Sequence, residues 1–103
     1  MERVISLKRL REFWERHPDA EASLRHWYRT ALKVTWRHLH DVRTDYSHAD
    51  AVMVASGRPV TVFNICGNKY RLIVDILNRT QVICICTVLT HGEYSKGRWK
   101  DKL

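Results

Sequence analysis

Proline and glycine are scarce in this chain, at two and four of 103 residues. With 45% hydrophobic residues, that scarcity excludes a low-complexity or disordered segment and leaves a folded globular chain. Its length is one domain's worth, residues 1–103, enough for a single modest core. Long apolar runs are absent too, since no stretch approaches the roughly 18 residues that begin to span a bilayer. The opening "MERVISLKRLREFW" interleaves charge with apolar residues and lacks the continuous apolar segment of a signal peptide. The expectation is a cytoplasmic protein without a membrane partner. Cysteine is limited to Cys66, Cys84 and Cys86. That odd number, with no C-x₂-C spacing, fits neither a disulfide framework nor a zinc site, so reduced thiols acting as small apolar side chains are expected. A glycine-rich phosphate loop, a Walker pattern and a helix-turn-helix signature are all missing. Acidic residues run short in the second half. Residues 1–57 carry ten Lys/Arg against eight Asp/Glu, whereas residues 58–103 carry eight against three. Most of the net +7 therefore lies in the second half, which suits either a polyanion partner or plain solubility.

The periodicity that is present divides the chain into helices and strands. Ser6 to His17 is predicted helical, with Ser6 as its cap and Leu7, Leu10 and Trp14 on one face. Pro18 stops it, and Asp19 is a suitable cap for a second helix from Ala20 to Arg37. There Ala20, Leu24, Trp27, Tyr28, Ala31, Leu32 and Thr35 trace one stripe. Residues 38–59 have no sustained period apart from a possible helical turn near His40 to Arg43, which points to a misread element or a functional loop. Three strands follow, over 60–65, 69–77 and 81–89, with Gly67-Asn68 supplying a tight turn. Tyr70, Leu72, Val74 and Ile76 face one way, and Lys69, Arg71, Ile73 and Asp75 the other. The last strand is apolar on both faces, as a doubly covered strand would be. The fold class is α+β: two N-terminal helices packed on a small antiparallel sheet of three to four strands.

Several groups are capable of chemistry. Arg71 sits mid-strand and must reach solvent, Asp75 or a ligand, because a buried unpaired charge costs several kcal/mol. Lys69 projects beside it, about 7 Å away by strand rise. His91 and Tyr94, three residues apart beyond the last strand with Lys96 nearby, either pack locally or form a proton-transfer pair. Such a pair with fixed cations is what metal-free RNA cleavage needs, since the 2′-hydroxyl must lose a proton, the 5′-oxygen must gain one, and the phosphoryl charge must be met. Neighbouring cations should favour the Tyr94 phenolate. Arg98 and Lys100 add charge in the tail, while Tyr46 and Trp99 are possible base stackers. His38, His40, Asp41 and His48 have no spacing that supports a metal site, so neither metal nor cofactor is expected.

Taken together, "MERVISLKRLREFWERHPDAEASLRHWYR", "TVFNICGNKYRLIVDI" and "VLTHGEYSKG" resemble the HigB-type toxins of bacterial type II toxin–antitoxin systems, within the RelE superfamily. The paired patterns F-N-x-x-G-N-x-Y-R-L and T-H-x-E-Y carry the likeness. It implies a RelE-like fold and a toxin that enters the ribosomal A site and cuts mRNA without a metal. A helix-turn-helix antitoxin encoded nearby would hold it inactive. By motif, Arg71, His91 and Tyr94 would be catalytic, and Lys69, Lys96, Arg98 and Lys100 would grip RNA. Ser95 departs from the family's usual Tyr-Asp-Lys, which weakens any role for a carboxylate there. A non-catalytic module that blocks the ribosome by occupancy is the alternative reading.

Overall fold

A single residue, Ser6, separates the first strand from the first helix. The computed structural model describes residues 1–103 and starts with β1 (Arg3–Ile5), after which Ser6 turns the chain at a left-handed φ of 73° into α1 (Leu7–Arg16). Ser6 occupies the cap position, yet its side chain makes no capping hydrogen bond there. Leu10 and Phe13 are buried on α1, with Leu7 and Trp14 half-buried beside them. Pro18 ends α1 as expected, because the residue before a proline is pushed out of the helical region and His17 is at ψ 75°. One 3₁₀ turn (Pro18–Ala20) leads to α2 (Glu21–Lys33), so Asp19 does not cap α2.

Helix α2 buries Leu24, Trp27 and Ala31 and stops four residues before the expected Arg37. The β-branched pair Val34-Thr35 resists helix, and Val34 is extended at ψ 162°. That exit lets Trp36 turn back into the core, where it stacks on Phe63 at 5.7 Å and donates from Nε1 to Asp45 at 2.9 Å. The aperiodic stretch proves to be structured, holding α3 (Leu39–Asp45) and β2 (Asp50–Met53). Helix α3 buries only Val42 and β2 is largely exposed, so neither leaves a hydrophobic period to read.

The remaining strands are β3 (Pro59–Ile65), β4 (Tyr70–Leu77) and β5 (Val82–Thr90). The sheet has five strands in the order β1-β5-β4-β3-β2, more than the three or four expected. It is mixed rather than wholly antiparallel, since β1 runs parallel to β5 through Arg3↔Val82 to Ile5↔Cys84. In the β3–β4 loop the positive φ angles fall on Cys66 (56°) and Gly67 (67°), one position earlier than the sequence suggested. Ile73 pairs with Thr87 but Val74 pairs with Ile85, which makes Cys86 the extra residue of a β-bulge.

Each face of the sheet is covered. On one side α1 and α2 close the main core over Phe63, Leu72, Val74, Ile83 and Ile85. On the other, a smaller core unites Val54, Val60, Val62, Ile73, Cys86 and Trp99. This second cover comes from α4 (His91–Lys96) and α5 (Trp99–Lys102). At roughly 1.5–3 kcal/mol per fully buried large apolar side chain, the helix-side core dominates stability and the second core contributes a smaller share. All three cysteines are free, and burial pushes the Cys86 thiol up, away from reactivity. No helix is long and apolar enough to cross a membrane.

Candidate functional site

Thr90 is both the last residue of β5 and the cap of α4. Its hydroxyl accepts from the Glu93 amide at 3.2 Å while the Glu93 carboxylate accepts from the Thr90 amide at 3.0 Å, a reciprocal capping box. The backbone amide of Thr90 holds the Glu93 carboxyl below its usual range. The Thr and Glu of T-H-x-E-Y are therefore the fastening of a short helix, and His91, Tyr94 and Lys96 are what it presents. Gly97, at φ 76°, ends it in the left-handed conformation that favours glycine.

The fastening delivers Tyr94 to the second face of the sheet. Its ring stacks on Trp99 at 5.3 Å and 20°, and its carbonyl accepts from the Trp99 indole at 3.1 Å. Arg71 reaches the same ring from β4, with its guanidinium 5.4 Å from the centroid. Arg71 is oriented by carbonyls alone, donating to Asn68 at 3.0 Å and Tyr70 at 3.2 Å. No carboxylate pairs with it. Asp75 pairs instead with Arg58 at 3.5 Å. The i, i+4 spacing that makes neighbours on a helix covers about 13 Å along a strand, too far for an Arg71–Asp75 bridge. His91, one helical turn before Tyr94, is exposed, with Ser95 Oγ 3.4 Å from its Nδ1. Its amide donates to the Lys69 carbonyl at 3.0 Å, which ties the start of α4 to the start of β4.

Burial raises the Tyr94 phenol above its ordinary range, and the charge of Asp50 adds to this, while Arg71 opposes it more weakly. The expected phenolate is thus disfavoured and Tyr94 remains a proton donor. Lys69 also departs from expectation. It lies in the loop before β4 and forms an ion pair with Asp19 of the 3₁₀ turn, which also accepts from Tyr70 Oη at 2.7 Å. Lys69 is thereby drawn to the helix-covered side, away from Arg71. Trp99 is buried rather than presented for stacking, and Tyr46 is half-buried with its ring packed edge-to-face against Phe63 at 5.3 Å.

Lys96 and Arg98 line a cleft with Lys102, whereas Lys100 lies over the Trp99 ring at 5.8 Å and is not part of that lining. His38 sits 3.8 Å from Asp41, and no group of three or more His, Cys, Asp or Glu side chains converges. Asn64 had drawn no expectation, and Asn68 only that of a turn residue. Asn64 pairs across the strands with Arg71 and donates to Asn68 Oδ1 at 3.3 Å, and Asn68 in turn lends its carbonyl to Arg71. The F-N-x-x-G-N pattern was their signal.

Residues 20–97 match the family model of the HigB toxins, described as the RelE-like toxic component of a toxin–antitoxin system. The chain belongs to the HigB toxin family. Among individually curated proteins, none matches it. The family match takes in β2 to β5 and α4, hence Arg71, His91 and Tyr94, and stops at Gly97. Membership of a two-component system implies an antitoxin as partner for this HigB toxin. The tail that carries Trp99 lies outside the matched region, although Trp99 completes the second core and props Tyr94.

Proposed function

We propose that this HigB toxin is an endoribonuclease that cuts mRNA on the ribosome and so inhibits translation. The observation that carries the reading is the carboxylate-free Arg71, held by two carbonyls against Tyr94 and one strand residue away from the loop that anchors His91. A cation kept ready but unneutralised is suited to a phosphodiester, because nothing in the chain needs to be displaced first. In this reading His91 takes the proton of the ribose 2′-hydroxyl as it attacks the adjacent phosphorus. Arg71 meets the charge that builds on the phosphoryl oxygens, and the protonated Tyr94 donates toward the departing 5′-oxygen. Each step uses side chains of this chain, and Lys96 and Arg98 hold the RNA backbone alongside.

The antitoxin is proposed to be a helix-turn-helix protein encoded next to the toxin, working in the cytoplasm on the same basic face. Primer extension on a translated message tests the reading. Discrete new 5′ ends should appear on induction of the toxin and vanish in an Arg71→Ala/His91→Ala double variant that still folds. Stalled ribosomes without new ends would instead mean blockade by occupancy.

A further inference from the structure

Past Trp99, on the side of the tail, the second face of the sheet holds a cleft of about 400 Å³. We infer that this cleft is a nucleotide subsite, taking the base and phosphate of the residue next to the scissile phosphodiester of a bound RNA. The inference rests on the RNA-cleaving reading above and adds a place for the neighbouring nucleotide. Three observations support it.

Position comes first. Leu89 and Trp99 both line the cleft. Leu89 is the cross-strand partner of Arg71, and Trp99 is the stacking partner of Tyr94. The cleft and the proposed reaction centre therefore share a wall.

Chemistry comes second. The floor is apolar, built from Cys86, Leu89 and Trp99, and the rim carries Lys96, Arg98 and Lys102. Among the lining side chains the one carboxylate, Glu93, is already engaged as the acceptor of the capping box, and Leu103, which also lines the cleft with its terminal carboxyl group, accepts from Ser56 Oγ at 3.0 Å. Three cations at the mouth of an apolar hollow suit a ligand that is flat and apolar at one end and anionic at the other. The volume falls within the range of about 300–1,000 Å³ typical of small-ligand pockets.

Third, the Trp99 ring is already engaged, stacked by Tyr94 and with the Lys100 ammonium 5.8 Å from its centroid. A base entering the cleft thus meets Leu89 and an indole already engaged by its neighbours, with Thr87 as a polar residue within the lining. Recognition at this subsite is by fit and by hydrogen bonding rather than by ring stacking.

The test uses the full chain and an RNA trinucleotide carrying 2′-O-methyl groups, which cannot be cut because the attacking hydroxyl is capped. Titration followed by amide and indole NMR should shift Thr87, Leu89, Lys96, Arg98 and the Trp99 indole. Lys102→Glu should weaken trinucleotide binding about tenfold at low salt and reduce the slope of log Kd against log salt by about one. Thr87→Trp, which fills the hollow and leaves every charge in place, should also weaken it. Shifts confined to other surfaces, or affinities unchanged in both folded variants, would overturn the subsite. So would displacement of the trinucleotide by inorganic phosphate at equal concentration, since the cleft would then hold only an anion. Primer extension with the wild-type protein is read separately. Cleavage with an empty cleft removes the subsite and leaves the nuclease. An occupied cleft without cleavage removes the nuclease and leaves the subsite.

Discussion

Arg71 is held by two main-chain carbonyls and an aromatic ring, so shortening it removes a charge without opening the core. Arg71→Ala should therefore fold normally by circular dichroism and lose about 10²–10³-fold in mRNA cleavage, the scale of one preorganised charge-stabilising group. Asp19 shows the opposite arrangement, with a carboxylate engaged by Lys69 and Tyr70 that holds its pKa below the usual value. A group whose folded pKa is depressed contributes stability above its unfolded pKa and loses it as pH falls through the folded value. Asp19→Asn should therefore lower the Tm at neutral pH and flatten the decline in Tm below about pH 4. The partner effect is alkaline. Tyr70 and Lys69 are both raised, so their share is lost as pH climbs past about 10. At the scale of single residues, the two motifs pointed to Arg71 and Tyr94, and the structure brings these two together at 5.4 Å. Residues were misread where burial outweighed charge. Counting cations near Tyr94 suggested a phenolate, but the ring is half-buried against Trp99 and the desolvation it suffers exceeds the pull of Arg71.

Among the elements, α4 is short and depends on its ends. Thr90→Ala removes half of the capping box and should cost about 1 kcal/mol in urea denaturation, with a loss of cleavage because His91 and Tyr94 move with the helix. Gly97→Ala forces a side chain into a φ of 76° and should cost about as much, although open space surrounds the position and no contact is disturbed. The signal for this helix, the Thr and Glu spacing of "THGE", was in the sequence but went unread. Helices α1 and α2 were legible through a one-sided apolar stripe. Strands β1 and β2 were not, because three or four residues at a sheet margin bury too little to alternate. The bulge at Cys86 also hid the true faces of β5. It shifts the inward and outward positions by one, so that Ile83, Ile85 and Val88 face the helices while Leu89 and Cys86 face the tail.

For the molecule as a whole, the unread feature was the second cover. An apolar β5 suggested that something must lie on each face, but the tail, "GRWKDKL", read as RNA-gripping charge around a possible base stacker. Trp99 is instead only 6% exposed and sits at the centre of that cover. Trp99→Ala should cost roughly 3–5 kcal/mol by thermal or urea unfolding and loosen Tyr94 at the same time. With a net charge of +7, RNA affinity should also fall steeply as salt is raised, with a linear dependence of log Kd on log salt.

Strand β5 lies between β1 and β4, yet it is the last of the five to be synthesised. The earliest strand must wait for it, because β1 has no other neighbour to pair with. During translation the nascent chain thus holds an incomplete sheet whose two inner edges await a common filler, and contacts so distant in sequence close slowly. The face that presents Arg71 and Tyr94 is therefore complete only once the last strand has been laid into the middle of the sheet.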